Sequence, residues 1–202
     1  MIRIAYLHGF NSGSASVKGQ ILARAIAALP SDVRPEFFLP RLPHRPSEAV
    51  RVTDRWAESG KSDELTFVGS SLGGFYATHL AEVHGAKAVL VNPVVDPERI
   101  LTPYLGLQRN PSTGEVYELT PRHVAELAAL KVERITLPER YLLLAQAGDE
   151  LLDWRQAIAF YAGAWQLIRG GGDHAYRGFA DEVALVLRFA GLDCLAAETT
   201  CS

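Results

Sequence analysis

The chain has 202 residues, of which 48% are hydrophobic and 21% charged, and its formal net charge is −3 with histidine neutral. A chain of this length and composition buries a core without disulfide or metal staples, which excludes intrinsic disorder and a disulfide scaffold. Its slight acidity and the lack of any run of Lys and Arg exclude a typical duplex-binding domain, so no nucleic-acid partner is expected. Residues 65–81, the longest uncharged stretch, are too few and too polar to span a membrane, and we expect a cytoplasmic protein.

Short apolar runs alternate with longer amphipathic segments along most of the chain, a pattern typical of strands that are separated by helices. In chain order the pattern predicts strand 2–7, helix 17–29, strand 33–39, helix 47–58, strand 65–68, helix 72–84 and strand 88–91, and then, after an irregular segment, strand 141–145, helix 154–161, strand 164–168 and helix 181–190. Six strands that alternate with helices predict an α/β fold, with a mostly parallel sheet, helices on both faces and right-handed crossovers. We expect one domain over 1–192 and a flexible tail at 193–202, whose cysteines, Cys194 and Cys201, are predicted to be ordinary thiols.

The alternation breaks between residues 94 and 135, a segment that contains four prolines and one clear helix, at about 121–130. The segment follows the fourth strand and is too long for a plain loop, and such long connections are usually functional or disordered. We predict that 94–135 is an insertion that forms a small cap over a pocket. A surface excursion without function is the alternative.

The strongest motif is Gly69-Ser70-Ser71-Leu72-Gly73, which matches G-x-S-x-G with Ser71 at its centre. It follows a predicted strand and precedes a predicted helix, which is the strand–turn–helix setting of a nucleophile elbow. In such an elbow a strained backbone conformation projects the serine hydroxyl beyond the end of the strand. The flanking glycines are needed because a side chain two residues before or after the serine would clash. We predict Ser71 as a nucleophile, and a glycine-rich turn that merely needs small residues is the alternative.

A serine nucleophile needs a base and a carboxylate that orients the base, and in this setting the chain order is serine, acid, histidine. Two histidines follow the elbow helix: His123 lies in the insertion, whereas His174 follows the last strand in a glycine-rich loop. We predict His174 as the base, because its loop lies at the same sheet edge as the elbow. The acid should leave the end of the fifth strand, where we predict Asp149, with Glu150 and Asp153 as the alternatives. Asp153 is also a candidate cap for the helix that follows.

An oxyanion hole needs two backbone N–H groups, and the first is the amide of Leu72, directly after the nucleophile. The second is predicted at Phe10, because His8-Gly9-Phe10 follows the first strand, beside which the elbow strand should pack. His8 is predicted to hold this loop rather than to act as a base. Neither a metal-ligand constellation nor a phosphate-binding glycine motif occurs in the sequence, so no metal and no cofactor is expected.

The substrate pocket is predicted between this loop and the insertion. Asn11 follows the predicted oxyanion donor, and the insertion leaves the sheet at the edge that carries the serine. Ligand pockets are commonly apolar with a few polar anchors. The insertion offers such a lining for an acyl chain, with Tyr104, Leu105 and Leu107 beside Ile100 and Leu101.

These motifs together resemble the α/β-hydrolase superfamily and, more narrowly, the small bacterial YqiA-like esterases. The resemblance spans about residues 2–190 and is carried by residues 6–12, 69–78, 91–93, 105–106, 113–115, 148–150 and 172–174. It implies hydrolysis of carboxylic esters, and allows acyl thioesters, by a triad of Ser71, Asp149 and His174. It also implies that the first two strands of larger hydrolases are missing, so that the sheet order is 2-1-3-4-5-6. Phe75, where relatives often carry tyrosine, affects the packing behind the elbow and leaves the triad untouched.

The sequence therefore predicts a serine hydrolase that acts on a small-molecule acyl ester or thioester. Two other interpretations stay open. One is an amide or lactone hydrolase with the same triad, and the other is a non-catalytic module that binds acyl ligands. A covalent serine-directed probe separates the enzymes from the binding module, because only a base-activated serine reacts with it readily.

Overall fold

Six parallel strands form the central sheet of the structure, a computed structural model that describes residues 1–59 and 64–192. In chain order the elements are β1 (Arg3–Leu7), α1 (Val17–Ala27), β2 (Glu36–Phe38), α2 (Pro46–Ala57), β3 (Leu65–Ser70), α3 (Leu72–His84), β4 (Lys87–Val91), α4 (Pro97–Leu101), β5 (Gly106–Arg109), β6 (Val116–Leu119), α5 (Pro121–Ala129), β7 (Tyr141–Gln146), α6 (Trp154–Phe160), β8 (Trp165–Arg169) and α7 (Phe179–Phe189). The main sheet has the order β2-β1-β3-β4-β7-β8, and every neighbouring pair is parallel. Counted along this sheet alone, that is the order 2-1-3-4-5-6, so the predicted fold class is confirmed.

Two hydrophobic cores cover the two faces of the sheet, because successive side chains of a strand point to opposite faces. On one face, Ile4 and Tyr6 of β1 pack in a core with α1 and α7. On the other face, Ala5 and Leu7 pack in a core with α2, α3 and α6. Strands that are buried on both faces need apolar residues at every position, which explains the continuous apolar runs of the sequence. Since all six strands run parallel, their carboxyl ends lie together at one edge.

The second strand is shorter than the predicted strand 33–39. A turn precedes it, in which the Val33 amide donates to the Pro30 carbonyl oxygen at 3.2 Å. Pro35 has no N–H to donate to a sheet, so the pairing with β1 starts one residue later. There the Glu36 amide donates to the Ile2 carbonyl oxygen at 3.0 Å.

The insertion 94–135 contains more regular structure than the one helix predicted for it. That helix is found as α5, whereas α4 and the antiparallel hairpin β5–β6 were not predicted. Asn110 closes the hairpin turn, where its Oδ1 accepts the amides of Ser112 at 2.8 Å and Thr113 at 3.2 Å. The hairpin strands have four residues each, too few for a period of two to stand out in the sequence.

None of the helices in the described part of the chain combines the length and the apolar character needed to cross a membrane. The predicted tail, 193–202, and its two cysteines lie outside the described residues. The extent of a single domain over 1–192, with a cap-like insertion, stays a prediction.

Candidate active site

Ser71 lies between the last residue of β3 and the first residue of α3, in the predicted strand–turn–helix setting. Its backbone has φ 57° and ψ −122°, a conformation that residues with a side chain rarely adopt and that costs about 1–3 kcal/mol. The Ser71 amide donates to the Val91 carbonyl oxygen at 3.0 Å. Its carbonyl oxygen accepts the amides of Gly74 at 2.9 Å and Val94 at 3.1 Å. The sheet, the elbow helix and the start of the insertion therefore all hold the strained serine.

The two glycines of the motif allow three backbone segments to meet at the elbow. A Cβ atom on Gly69 would lie 2.1 Å from the carbonyl oxygen of Gly73. A Cβ atom on Gly73 would lie 2.0 Å from the carbonyl oxygen of Leu7, at the end of β1. Neither position has space for a side chain, because the opposing atoms belong to the backbone. At position 69 glycine is needed for the predicted reason, which is the close approach of the residues on either side of Ser71. At position 73 it is needed because of the backbone of the neighbouring strand β1.

The structure brings Ser71, His174 and Asp149 into one hydrogen-bonded chain. The Nε2 atom of His174 lies 3.0 Å from the Oγ atom of Ser71. On the other side of the ring, Nδ1 lies 2.8 Å from Oδ2 and 3.1 Å from Oδ1 of Asp149. With its proton on Nδ1, the ring donates to the carboxylate, and Nε2 accepts the proton of the serine hydroxyl. This arrangement can remove a proton from Ser71.

Asp149 is the carboxylate that contacts the histidine ring, and its side chain is buried. Its Oδ1 also accepts the amides of Leu151 and Leu152, both at 2.9 Å. Burial acts to raise the pKa of Asp149, but the hydrogen bonds from His174 and the two amides outweigh it and hold the pKa below its usual range. The carboxyl group is therefore ionised at neutral pH.

The other candidate acids and the other candidate base have different partners. Asp153 is the N-cap of α6, where its Oδ1 accepts the backbone amide two residues later at 3.1 Å. Glu150 accepts the backbone amide of His174 at 2.9 Å, so it holds the loop rather than the ring. His123 is buried at the start of α5, where its Nδ1 accepts the Thr120 amide at 3.1 Å.

Two residues without a predicted role, Asn92 and Gln146, hold the histidine loop. The Nδ2 atom of Asn92 donates to the carbonyl oxygens of Asp173 at 3.0 Å and His174 at 3.2 Å. Gln146 accepts the Asp173 amide at 3.0 Å and donates to the Arg177 carbonyl oxygen at 2.7 Å. Asn92 and Gln146 are also linked to each other, because the backbone N–H of Gln146 donates to Oδ1 of Asn92 at 2.9 Å. The sequence contains a signal for these two residues, because each is a polar residue at the carboxyl end of a buried strand.

Lys18, near the start of α1, also holds the histidine loop. Its Nζ donates to the carbonyl oxygen of Ala175, directly after His174, at 2.6 Å. Burial lowers the pKa of Lys18 to about 8, although the charges of Asp173 and Asp149 oppose the shift. No sequence pattern indicates this contact, because the two residues are 157 positions apart.

The loop after β1 lies against Ser71, because a Cβ atom on Gly9 would be 3.2 Å from the Cβ of Ser71. His8 is buried in this loop, and its Nε2 accepts the Leu42 amide at 3.1 Å. Burial lowers the pKa of His8, although its hydrogen bond to the Gly9 carbonyl opposes this, so the ring is neutral and holds the loop. Phe10 follows and lines the space around the serine.

Two cavities meet at Ser71 and His174. The larger measures about 560 Å³ and lies between the start of α1 and the segment after His174. Its lining combines apolar residues, among them Val17, Ile21 and Phe179, with polar ones, among them Lys18 and Arg177. The smaller measures about 390 Å³ and lies beneath α4, with a mostly apolar lining that includes Val94, Ile100, Leu101, Pro103, Tyr104, Leu151 and Leu152. Ser71 is therefore accessible from two sides.

Some of the predicted pocket residues line a cavity at Ser71, and others do not. Tyr104 lines the apolar cavity, together with Ile100 and Leu101. Leu105 and Leu107 do not line either of the two cavities, and the side chain of Leu107 is 79% exposed. Asn11 faces the insertion, where it contacts the hairpin β5–β6.

The parallel sheet and the serine turn define the α/β-hydrolase fold, and solved structures share it. Alpha/beta hydrolase domain-containing protein 10 from mouse has a TM-score of 0.70 at 14% identity, over 92% of this chain and 87% of that chain. The monoacylglycerol lipase of Paleococcus ferrophilus has a TM-score of 0.66 at 14% identity, over 93% of each chain. Est1E from Butyrivibrio proteoclasticus, with ferulic acid bound, has a TM-score of 0.62 at 13% identity, over 94% of this chain and 86% of that chain. At such identities the similarity shows a shared fold.

The chain belongs to UPF0227, described as an uncharacterised protein family, whose model matches residues 3–191. A UPF0227 protein from Shewanella woodyi (strain ATCC 51908 / MS32) is 29% identical over 103 residues, which are 47% of this chain. The match spans 52% of that relative, about half of its length. Family membership and fold together confirm the resemblance that the sequence motifs indicate.

Gly69→Ala tests the close approach at the elbow. The added Cβ meets backbone atoms that cannot rotate away, so we expect the free energy of unfolding to fall by about 1–3 kcal/mol or more. Urea unfolding followed by circular dichroism measures the change. Gly170→Ala is the matched control, because nothing lies within 4 Å of its Cβ position. Equal stability of the two variants would contradict the close approach.

Proposed function

We propose that this protein is a serine hydrolase that cleaves carboxylic esters through an acyl-enzyme on Ser71. The observation that carries the proposal is the hydrogen-bonded chain from the Ser71 hydroxyl through the His174 ring to the buried Asp149 carboxylate. The strained elbow and the α/β-hydrolase fold support it, because both are typical of enzymes that use this chain order. The substrate is a small-molecule ester.

The first half of the reaction forms the acyl-enzyme. Ser71 Oγ attacks the acyl carbon while Nε2 of His174 takes the serine proton, which becomes the second proton of the imidazolium. Asp149 fixes the tautomer of the ring and stabilises its positive charge without taking the proton. As the tetrahedral intermediate collapses, the bond from the acyl carbon to the leaving oxygen breaks, and His174 returns the proton to that oxygen.

The second half releases the acid. A water molecule gives a proton to His174 and attacks the acyl carbon, and His174 then protonates Ser71 Oγ as the ester bond to the enzyme breaks. In both halves the oxyanion accepts hydrogen bonds from the amides of Leu72 and Phe10. Leu72 is the first residue of α3, so its amide has no acceptor within the helix and lies at the positive end of the helix dipole.

The two cavities support an assignment of the two halves of the ester. The apolar cavity beneath α4 fits an acyl chain, because burial of each CH₂ group is favourable by about 0.8 kcal/mol. The larger cavity, whose mixed lining includes Lys18 and Arg177, then receives the leaving group. The same steps cleave a thioester, with a thiolate in place of the alkoxide, so a substrate panel should contain both classes.

A fluorophosphonate tests the nucleophile. We expect one adduct per chain, on Ser71, because only a serine activated by a base attacks phosphorus readily. Peptide mass spectrometry locates the adduct. Ser71→Ala should keep its fold and lose both the adduct and ester turnover. An adduct on Ser70, or full turnover by Ser71→Ala, would overturn the proposal.

The choice of acid is tested by a pair of Asp→Asn variants. Asp149→Asn should lower kcat by about 10⁴, because the amide favours the wrong tautomer of the histidine. Asp153→Asn should leave kcat near the wild-type value, since asparagine also caps a helix and this side chain contacts the α6 backbone. Ester turnover measures both. A larger loss in Asp153→Asn than in Asp149→Asn would place the acid elsewhere.

Acyl-chain selectivity is tested at α4. Ile100→Phe adds volume to the wall of the apolar cavity, so we expect the preferred acyl chain to shorten. Each CH₂ group that loses its place should cost about fourfold in kcat/KM. The measurement is a series of straight-chain esters of increasing acyl length. Leu107→Phe is the matched control, because its side chain is 79% exposed; a profile that responds to Leu107 and not to Ile100 would contradict the assignment.

A further inference from the structure

The hairpin β5–β6 is bonded to the loop that follows β1, a contact that the mechanism above does not use. Tyr117 Oη donates to Asn11 Oδ1 at 2.8 Å, and Asn11 Nδ2 donates to Gln108 Oε1 at 3.2 Å. At the hairpin turn, Asn110 Nδ2 donates to the Ser12 carbonyl oxygen at 2.8 Å. Both strands and the turn of the hairpin therefore hold the two residues that follow the proposed oxyanion donor.

Asn11 needs support because its backbone φ is 51°, in the left-handed region. Asparagine adopts this region more readily than most residues, but the conformation is still unfavourable relative to the right-handed region. A change in the φ angle of Asn11 reorients the peptide bond that joins Phe10 to Asn11, which carries the Phe10 carbonyl oxygen, and the Phe10 N–H lies on the adjacent peptide bond. A fixed Asn11 side chain therefore restricts the backbone of Phe10.

Tyr117 is itself fixed by a third segment, the loop after β2. Its ring stacks on His44, with ring centroids 4.3 Å apart and an angle of 18° between the planes. Glu115 lies 3.1 Å from Nδ1 of His44 and accepts from Arg41 at 3.0 Å. Burial raises the pKa of Tyr117 to about 12, and the charge of Glu115 acts in the same direction, so the hydroxyl stays a donor. The cavity enclosed here measures about 30 Å³, enough for a water molecule and too small for an ester.

We infer that the hairpin β5–β6 positions the loop after β1, residues 8–12, which we name the oxyanion loop. Tyr117 is then a positioning residue that acts through Asn11 on the Phe10 amide. The inference rests on the proposed function, since an oxyanion forms only when an acyl carbonyl is attacked. A donor is effective within about 2.7–3.1 Å of that oxygen, so a small displacement of the loop weakens it. The insertion then has two roles: α4 lines the apolar cavity, and the hairpin braces the oxyanion loop.

Tyr117→Phe removes the hydroxyl and leaves the aromatic stack in place. We expect kcat for a short ester to fall about tenfold or more, because complete loss of an oxyanion donor costs about 10²–10³. KM should stay within about twofold, since the ground-state ester carries no oxyanion. The affinity for a trifluoromethyl ketone, which forms an oxyanion when Ser71 adds to it, should fall in proportion to kcat/KM.

Tyr141→Phe is the matched control for a lost tyrosine hydrogen bond. The Tyr141 hydroxyl donates to Glu82, and Tyr141 begins β7 at the sheet edge opposite the serine. We expect this variant to lose stability in urea and to keep the wild-type kcat. If Tyr117 had only a structural role, Tyr117→Phe would also lose stability in urea and keep the wild-type kcat.

Asn11→Gly separates the side-chain contact from the backbone conformation, because glycine adopts a φ of 51° without strain. We expect the same loss of kcat as in Tyr117→Phe, and no further loss when the two changes are combined. A raised KM in Asn11→Gly, with additive effects in the double variant, would mean that Asn11 contacts the substrate directly. That outcome overturns the inference.

The remaining outcomes separate this inference from the proposed function. Wild-type kcat in folded Tyr117→Phe and Asn11→Gly overturns the inference alone. A wild-type protein that neither turns over esters nor reacts with a fluorophosphonate overturns the proposed function, and the inference with it. Where Tyr117→Phe does not fold, Asn11→Gly carries the same test, because it leaves the hairpin sequence unchanged.

Discussion

The close approach of three backbone segments at Ser71 is the constraint on which the rest of the site depends. The end of β1, the end of β3 and the first turn of α3 meet at distances that exclude a Cβ atom at Gly69 and at Gly73. The same contact holds Ser71 in its strained conformation, and it places the start of α3 next to the serine hydroxyl. The carbonyl oxygen of Ser71 accepts the Val94 amide, so the serine backbone holds the first residue of the insertion.

The parallel sheet explains why residues far apart in the sequence assemble here. Every strand of the main sheet ends at the same edge, so successive strand ends supply the loop after β1, Ser71, Asn92, Asp149 and the loop of His174. Asp149 and His174 follow β7 and β8, which do not neighbour β3, so their loops must return toward Ser71. Asn92 bridges that distance, because it lies on the intervening strand end and holds the backbone of His174.

The parts of the structure that could be predicted are those with a local sequence signal. Strand and helix periods predicted the sheet and its helices, and the G-x-S-x-G motif marked the elbow. Ser71, Asp149 and His174 were chosen from motif and chain order, and the structure joins them by hydrogen bonds, while their catalytic roles stay predictions. The hairpin β5–β6 was missed because its strands are short and partly exposed. The bracing role of Lys18 depends on a contact that sequence patterns do not contain, because it joins residues from opposite ends of the chain.

The two cavities on either side of Ser71 have a consequence for the fate of the acyl group. Under the proposed function, the leaving group departs from the larger cavity while the acyl chain stays bonded to the serine in the smaller one. The next molecule with a hydroxyl group that enters the larger cavity attacks the acyl carbon. Water gives hydrolysis, whereas a second alcohol that fits there gives acyl transfer. The partition between these two reactions is thus decided in the larger cavity, by lining residues such as Lys18 and Arg177, in a space that the acyl chain does not occupy.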